Sequence, residues 1–443
     1  MTTSTYSQAA IQSARELVFG RAPNPVVCGS GLRIGAGTVF PEIKFTLPPM
    51  RIEQKNLSAI CEIYKKTTSA VLERAAALSV PGVVVEFEHL PEMTRIPAWG
   101  EAITRVLREA MDGASQKNGL RTALRVTPVD IRESRNAPAE RVEQAATLME
   151  SFRRCAAAGA DMLAIESTGG KEISDQALME CDVRGLMRGL VVVGTQDCGA
   201  LWREIRKIAA AAEHPCLASG DSACGFANTA MVLAERGYIP RVFAAVVRVV
   251  SAARSLAAFE NGAVGPSKDC AYEGVICKAV RGVPISMEGK SAAFAHLSSI
   301  GNVACAGADL WSNESIEAGR ALSGDAVVAN FEQLAYDCRL MNTARERGGE
   351  DGARQLRDWL VMSDAPLDPQ AWVLTPEFVV QAAEVIAREP DPYARAREAA
   401  ILTLNSISLA VEERDLQISD SEADWLEQLR GDMDELPESA ENL

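Results

Sequence analysis

The sequence predicts an α/β fold: a TIM (β/α)8 barrel with an N-terminal extension and a C-terminal helical segment. The middle of the chain alternates short β-branched runs with amphipathic helical stretches, the pattern of parallel βα units. These units number about eight, the count that closes a barrel of roughly 250 residues. The 443 residues, 47% hydrophobic and 24% charged, are enough for a core of that size. An open doubly wound sheet fits the same count and stays open as an alternative.

Val83–Phe87 reads as a strand and Ala98–Met111 as its helix; Arg121–Val126 is the next strand, before a helix from about Ala139 to Ala158. Met162–Ile165 and Leu190–Val193 follow as strands, with helices over Asp175–Met187 and Ala200–Ala212. Pro215–Ala218 is a fifth strand, and the helix near Thr229–Arg236 stops at Gly237. Val242–Phe259 is apolar but carries Arg248 and Arg254, and charges at those depths are costly in a bilayer. It reads as a buried helix, with the sixth strand somewhere beyond it. Glu273–Val280 and Ala292–Ile300 read as helices, Val283–Met287 and Val303–Leu310 as the last strands.

The barrel accordingly spans 54–345. Residues 1–53 form an extension whose Pro23, Pro25, Pro41, Pro48 and Pro49 favour loops packed on the barrel. Residues 346–443, beyond the Gly348-Gly349 turn, read as helices and then a solvated tail; Asp415–Glu441 holds ten acids and only Arg430 as a base.

Forty-five basic against 60 acidic residues give a formal charge of −15. That balance argues against nucleic acid or an anionic membrane as a partner, since both reward positive surface. The N-terminus has no basic segment before an unbroken apolar run, which predicts a cytoplasmic protein. Eleven cysteines, an odd number without a regular framework, fit a reducing compartment.

In such a barrel the chemistry gathers at the C-terminal ends of the strands. Three loops there stand out. Ile165–Glu172 runs a strand into Glu166 and a Gly169-Gly170 turn, aiming a carboxylate at the mouth; a salt-bridged strand-end acid is the plainer reading. Gly220–Met231 carries Cys224 at a strand-to-helix transition, where the helix N-terminus favours a thiolate. A small buried hydrophobe is the commoner role of a free cysteine. Gly265–Gly274 is polar and holds Cys270 beside Lys268 and Asp269, either as a ligand or as a partly exposed bystander. Their long spacers lack the close pairs of zinc fingers, but a barrel brings successive strand ends together. Two thiols and a carboxylate with a fourth position open would suit catalytic zinc better than magnesium or calcium.

At these loops the sequence resembles the methanol:corrinoid methyltransferase large-subunit family, the zinc-containing partners of a small corrinoid protein. The resemblance covers nearly the whole chain, and the Gly220–Met231 segment is its most specific part. It implies Glu166, Cys224 and Cys270 as ligands of one Zn²⁺, methanol as substrate, and a homodimer core carrying corrinoid subunits. In the family reaction Co(I) attacks the methyl carbon of methanol held on zinc, and the metal makes oxygen a tolerable leaving group. An alkoxide leaves worse than an alcohol, so a nearby acid should supply or retain a proton. Glu88, Asp197 and Asp221 are the strand-end candidates, each otherwise a salt-bridged or capping carboxylate.

The corrinoid itself should sit on the partner, because His89, His214 and His296 all lack the Asp-x-His-x-x-Gly context of a cobalt ligand and read as structural. His214-Pro-Cys216 imitates a His-x-Cys metal element but lies at the start of a strand, on the wrong rim. Gly29–Gly35 approximates a dinucleotide fingerprint with one residue too many and no strand ahead of it, so it reads as a flexible loop. Other readings are a zinc methyltransferase with another methyl donor, a non-catalytic scaffold for a corrinoid protein, and a metal-assisted aldolase or hydrolase.

Overall fold

Eight parallel strands make the central sheet of the computed structural model, which describes residue 6 and residues 8–47, 50, 52–132, 138–290, 300–307, 310–314 and 325–443. Two short strands, β1 (Arg21–Cys28) and β2 (Leu32–Ala36), precede it as an antiparallel hairpin. The sheet is built from β3 (Phe40–Lys44), β4 (Val83–Glu88), β5 (Thr122–Thr127), β6 (Met162–Ile165), β7 (Leu217–Asp221), β8 (Ser267–Asp269), β9 (Ile285–Glu288) and β10 (Leu310–Glu314). Neighbours follow chain order, and the first strand pairs with the last, β3 with β10. That is the cyclic order of a TIM barrel.

The ladder is interrupted only between β7 and β8, where two backbone bonds span the seam: Val264 N–H to Ala218 O (2.9 Å) and Gly265 N–H to Ser219 O (2.8 Å). Pro266 follows and has no N–H to continue the pairing. A Cβ on Gly220 would stand 2.4 Å from Ser267 Cβ, so only glycine lets the two strands approach this closely.

The hairpin closes the N-terminal end of the barrel. Cys28, Leu32 and Ile34 pack beneath Phe40, Val84, Ala123 and Met162 as a small apolar plug. The glycine-rich Gly29–Gly35 segment is therefore a hairpin turn and strand, where a flexible loop was expected. Gly29 sits at φ +52°, and a Cβ there would lie 2.1 Å from Thr122 O.

Three expectations are corrected. The barrel begins at β3, inside the segment assigned to the 1–53 extension, so a boundary at residue 54 is too late. Pro41, Glu42 and Lys44 disguise that strand, since its charges are satisfied only by residues far away in sequence. Leu190–Val193 is not a strand: it lies within continuous helical backbone from Val183 to Ala210, with wide π-type turns over Met187–Val193. A short apolar run does not distinguish a strand from a buried helix segment. Val303–Leu310 divides into a helix, Gly301–Gly307, and the start of β10. The missing sixth strand is the three-residue β8, and the helix expected over 292–300 lies outside the described residues apart from Ile300.

Among the described helices, Arg241–Glu260 alone is long and apolar enough to cross a membrane, and its apolar window is wholly buried in the fold. Helix Pro392–Glu413 packs along it. The acidic end packs as well: in Asp420–Asp434, Leu426, Leu429 and Met433 are buried. Glu422 accepts the N–H groups of Arg241 and Val242 (2.8 and 2.9 Å), satisfying free donors at that helix start.

Candidate metal centre

The lumen of the barrel is charged. Strands β3, β4 and β5 alternate apolar residues with Glu42 and Lys44, Glu86 and Glu88, and Arg125 and Thr127, and period-two alternation turns each such pair to one face. Low in the lumen Arg125 holds Glu42 (Nε to Oε1 2.6 Å, Nη2 to Oε2 3.1 Å), with both side chains fully buried. Arg125 Nη1 also donates to Ser219 Oγ and Pro266 O (2.7 Å each), pinning β7 and β8 together from inside.

Higher up, Lys268 on β8 points its ammonium at three carboxylates: Glu166 Oε1 at 2.5 Å, Glu88 Oε2 at 3.1 Å and Glu86 Oε1 at 3.8 Å. Lys44 pairs with the same Glu88 oxygen, and Thr127 Oγ1 donates to Glu86 Oε1 (2.8 Å). Burial pushes Glu86 up to about 7; Lys268 and Lys44 pull against that shift, while Glu42 and Glu88 add to it.

A carboxyl raised this far keeps its proton in the folded state after the unfolded chain has released it. Its stabilising contribution is therefore present below its ordinary pKa and is lost as pH rises through about 7. Glu86→Gln removes the titration. Relative to wild type the variant should gain on the order of 2–3 kcal/mol between pH 5 and pH 8.5. Urea unfolding of both proteins at the two pH values checks this, and equal differences at both would refute it.

At the C-terminal mouth three strand-end loops converge. Glu166 follows β6, Cys224 opens the helix Cys224–Glu235 after β7, and Cys270 follows β8. Their ligand atoms all lie within 4.8 Å of one another, and among the described residues this is the only such group of three. The two sulfurs are joined as a disulfide with Cα atoms 5.4 Å apart, so a metal would require them reduced. Cys270 Sγ lies 3.6 Å from Glu166 Oε1, and Asn228 Nδ2 donates to Cys224 Sγ (3.2 Å). The helix N-terminus behind Cys224 favours its thiolate. Two thiolates and one carboxylate form a soft anionic donor set that fits Zn²⁺ with a fourth position open.

The helix Arg241–Glu260 braces all three loops. Arg254, fully buried, holds Asp221 Oδ1 (3.0 Å) and the carbonyl of Ser167 (2.7 Å), next to Glu166. Arg248 donates to the carbonyl of Ala271, next to Cys270. Glu273 Oε1 accepts from Ala223 N–H and Ser255 Oγ (2.7 Å each), tying the Cys270 loop to the residue before Cys224.

Of the three expected acids, only Glu88 joins the cluster around Glu166. Asp221 is buried and saturated by the Ser167 N–H (3.1 Å) and hydroxyl (2.8 Å), Trp202 Nε1 (2.8 Å) and Arg254. Asp197 lies on a helix and takes both arms of Arg132 (2.8 and 2.7 Å). Burial pushes His89 down to about 3, and its Nδ1 faces Thr94 Oγ1 at 3.1 Å. His214 Nε2 meets Ala160 O at 3.0 Å, at the rim away from the mouth, and His296 lies outside the described residues. Lys44 and Glu86 escape the sequence reading, and Lys268 enters it only as a neighbour of Cys270, although lone charges repeated at alternate positions of apolar strands mark a polar lumen.

A sequence profile described as methanol-cobalamin methyltransferase B subunit matches residues 3–443. The methanol–corrinoid protein co-methyltransferase of Methanosarcina barkeri (strain Fusaro / DSM 804) is 36% identical over 447 residues, covering all of this chain and 95% of that protein. A chain in the crystal structure of the methanol:cobalamin methyltransferase complex MtaBC from Methanosarcina barkeri superposes with a TM-score of 0.91 at 35% identity, over 99% of this chain and 94% of that one. With the barrel order and the carboxylate–thiol cluster in place along its whole length, this chain belongs to the methanol-cobalamin methyltransferase B subunit family.

Proposed function

We propose that this chain transfers the methyl group of methanol to the Co(I) of a corrinoid carried on a separate small protein, with zinc held by Glu166, Cys224 and Cys270. The observation that carries the reading is the convergence of those three ligand atoms within 4.8 Å at the barrel mouth. It is joined by membership in a family named for this chemistry. When bound there, zinc supplies a Lewis acid that draws electron density from an alcohol oxygen and makes it a better leaving group.

The chain's own residues do the rest. Three protein ligands leave one place for a small alcohol. Lys268 and Glu88 sit beside Glu166, and Glu88, paired with both Lys44 and Lys268, is the one expected acid that reaches this cluster. The likeness to a chain of a methanol:cobalamin methyltransferase complex supports a corrinoid borne by a partner. The same reading gives a homodimer core and a cytoplasmic setting, where thiols stay reduced.

Metal removal tests it. Protein reduced with a phosphine and stripped by a chelator should lose methanol-dependent methylation of Co(I) corrinoid, and zinc should restore it. Stripped protein that turns over at the original rate would overturn the reading.

A further inference from the structure

We infer that Asp130 is a positioning residue for Glu166: together with Asp221 it grips the two residues that follow Glu166, and Arg132 and Asp197 hold it in place. This rests on the reading that Glu166, Cys224 and Cys270 hold a metal.

The end of β6 is unevenly supported. Its ladder with β7 runs to Ile165, opposite Asp221, but its last pair with β5 is Leu163 opposite Val126, three residues short of Glu166. Asp130, in the loop after β5, takes over on that side. Its Oδ2 accepts both the N–H of Thr168 (2.9 Å) and the Thr168 hydroxyl (3.1 Å). Asp221 does the same from the β7 side, taking the N–H and hydroxyl of Ser167. Two consecutive residues after Glu166 are thus tied to opposite neighbours, which fixes the stretch of chain that carries the carboxylate.

Each gripping carboxylate is backed by an arginine, and the backing differs. Arg254 is fully buried behind Asp221. Arg132 holds Asp130 through Nε (2.8 Å to Oδ1) and Nη2 (2.7 Å to Oδ2), and reaches on to both oxygens of Asp197. Its side chain is 20% exposed. Loss of Asp130 therefore leaves Arg132 paired with Asp197 and in touch with water, whereas loss of Asp221 strands Arg254. The Asp130 side chain is wholly buried, and a buried carboxylate is costly unless its oxygens are bonded. Here those bonds go to the loop bearing Glu166. Asp197 supports the same loop by contact: a Cβ on Gly169 would lie 2.3 Å from Asp197 Cβ, so the turn after Thr168 rests directly on that side chain.

The test measures zinc affinity by competition with a chromophoric chelator, on full-length protein kept reduced with a phosphine. Wild type, Glu166→Ala, Asp130→Ala and the double variant are compared. Asp130→Ala should weaken zinc binding about 10- to 100-fold, the usual cost of losing a residue that orients a ligand. In the Glu166→Ala background, where two thiolates still bind, the same substitution should change affinity by no more than about twofold, because no carboxylate is left to orient. Thr168→Val, which removes only the hydroxyl bond, should give a smaller loss of the same kind. If Asp130→Ala does not fold, Asp130→Asn takes its place, since its amide sets a donor against either Arg132 or Thr168. Equal losses in both backgrounds, or no loss in either, would overturn the inference and leave the metal site standing. Wild type that binds no zinc, or Glu166→Ala that binds it as tightly as wild type does, removes the proposed ligand set and the inference with it.

Discussion

Cys224→Ala and Cys270→Ala should each purify, after reduction, with far less than one zinc per chain and with methanol-dependent Co(I) methylation all but abolished. The reasoning is comparative. Loss of an outer partner of a metal site costs about 10- to 100-fold in affinity or activity, and loss of a ligand removes more, so about a hundredfold is the floor. Cys224 should be the more sensitive of the two to serine replacement. Its helix N-terminus and Asn228 Nδ2 at 3.2 Å are arranged for an anionic sulfur, which a serine hydroxyl does not replace. A buried cysteine elsewhere supplies the control. Cys338, 2% exposed within the helix Asp325–Asp364, is raised well above the ordinary thiol pKa by burial, so it stays protonated and inert. Cys338→Ala should keep its zinc and its turnover. Elemental analysis beside the methylation assay reads all five variants, and zinc retained in either Ala variant at a ligand position would remove that residue from the metal.

Much of this site is visible in the sequence because a barrel converts strand ends into neighbours. Glu166, Cys224 and Cys270 are far apart along the chain, yet each follows a strand, and successive strand ends meet at one rim. What hides is whatever depends on pairing across the ring. The strand β3 reads as a loop because Glu42 and Lys44 interrupt it, and only the fold brings Arg125 and Glu88 to them. Leu190–Val193 errs in the opposite sense: its β-branched residues suit a strand, but the segment is helical and crosses close to the Gly169-Gly170 turn. A Cβ on Gly170 there would lie 2.1 Å from the carbonyl of Gly189. The total of eight units reads correctly because the spurious strand replaces the hidden one. Asp197 was attractive only as the acid after that spurious strand, and with the strand gone it is a helical residue bound to Arg132. The two arginines in the apolar run Val242–Phe259 are the most telling case. From the sequence they mark the segment as non-membrane; in the fold Arg248 and Arg254 are the struts behind the ligand loops.

Those struts lead to the second large effect. Asp221→Leu should destabilise the protein by about 3–5 kcal/mol, the cost of stranding one partner of a buried ion pair. Here the stranded partner is Arg254, fully buried, and the Ser167 N–H and the Trp202 indole N–H lose their acceptor with it. Arg254→Met alone should cost a comparable amount by leaving the carboxylate unpaired. Combining Arg254→Met with Asp221→Leu should cost less than the sum of the two single losses, because the second change removes the charge that the first one stranded. Denaturant unfolding of the three variants and wild type closes this cycle, and strict additivity would mean that the pair is not coupled. The double variant then separates folding from function. Ser167 adjoins Glu166, and Asp221 precedes Cys224 by three residues, so this one ion pair holds the approaches to two ligands. Stability regained in the double variant should not bring back metal affinity, since an apolar pair fills the space without fixing the Ser167 carbonyl and N–H. A double variant that recovers both zinc and turnover would show that the ion pair serves the fold alone.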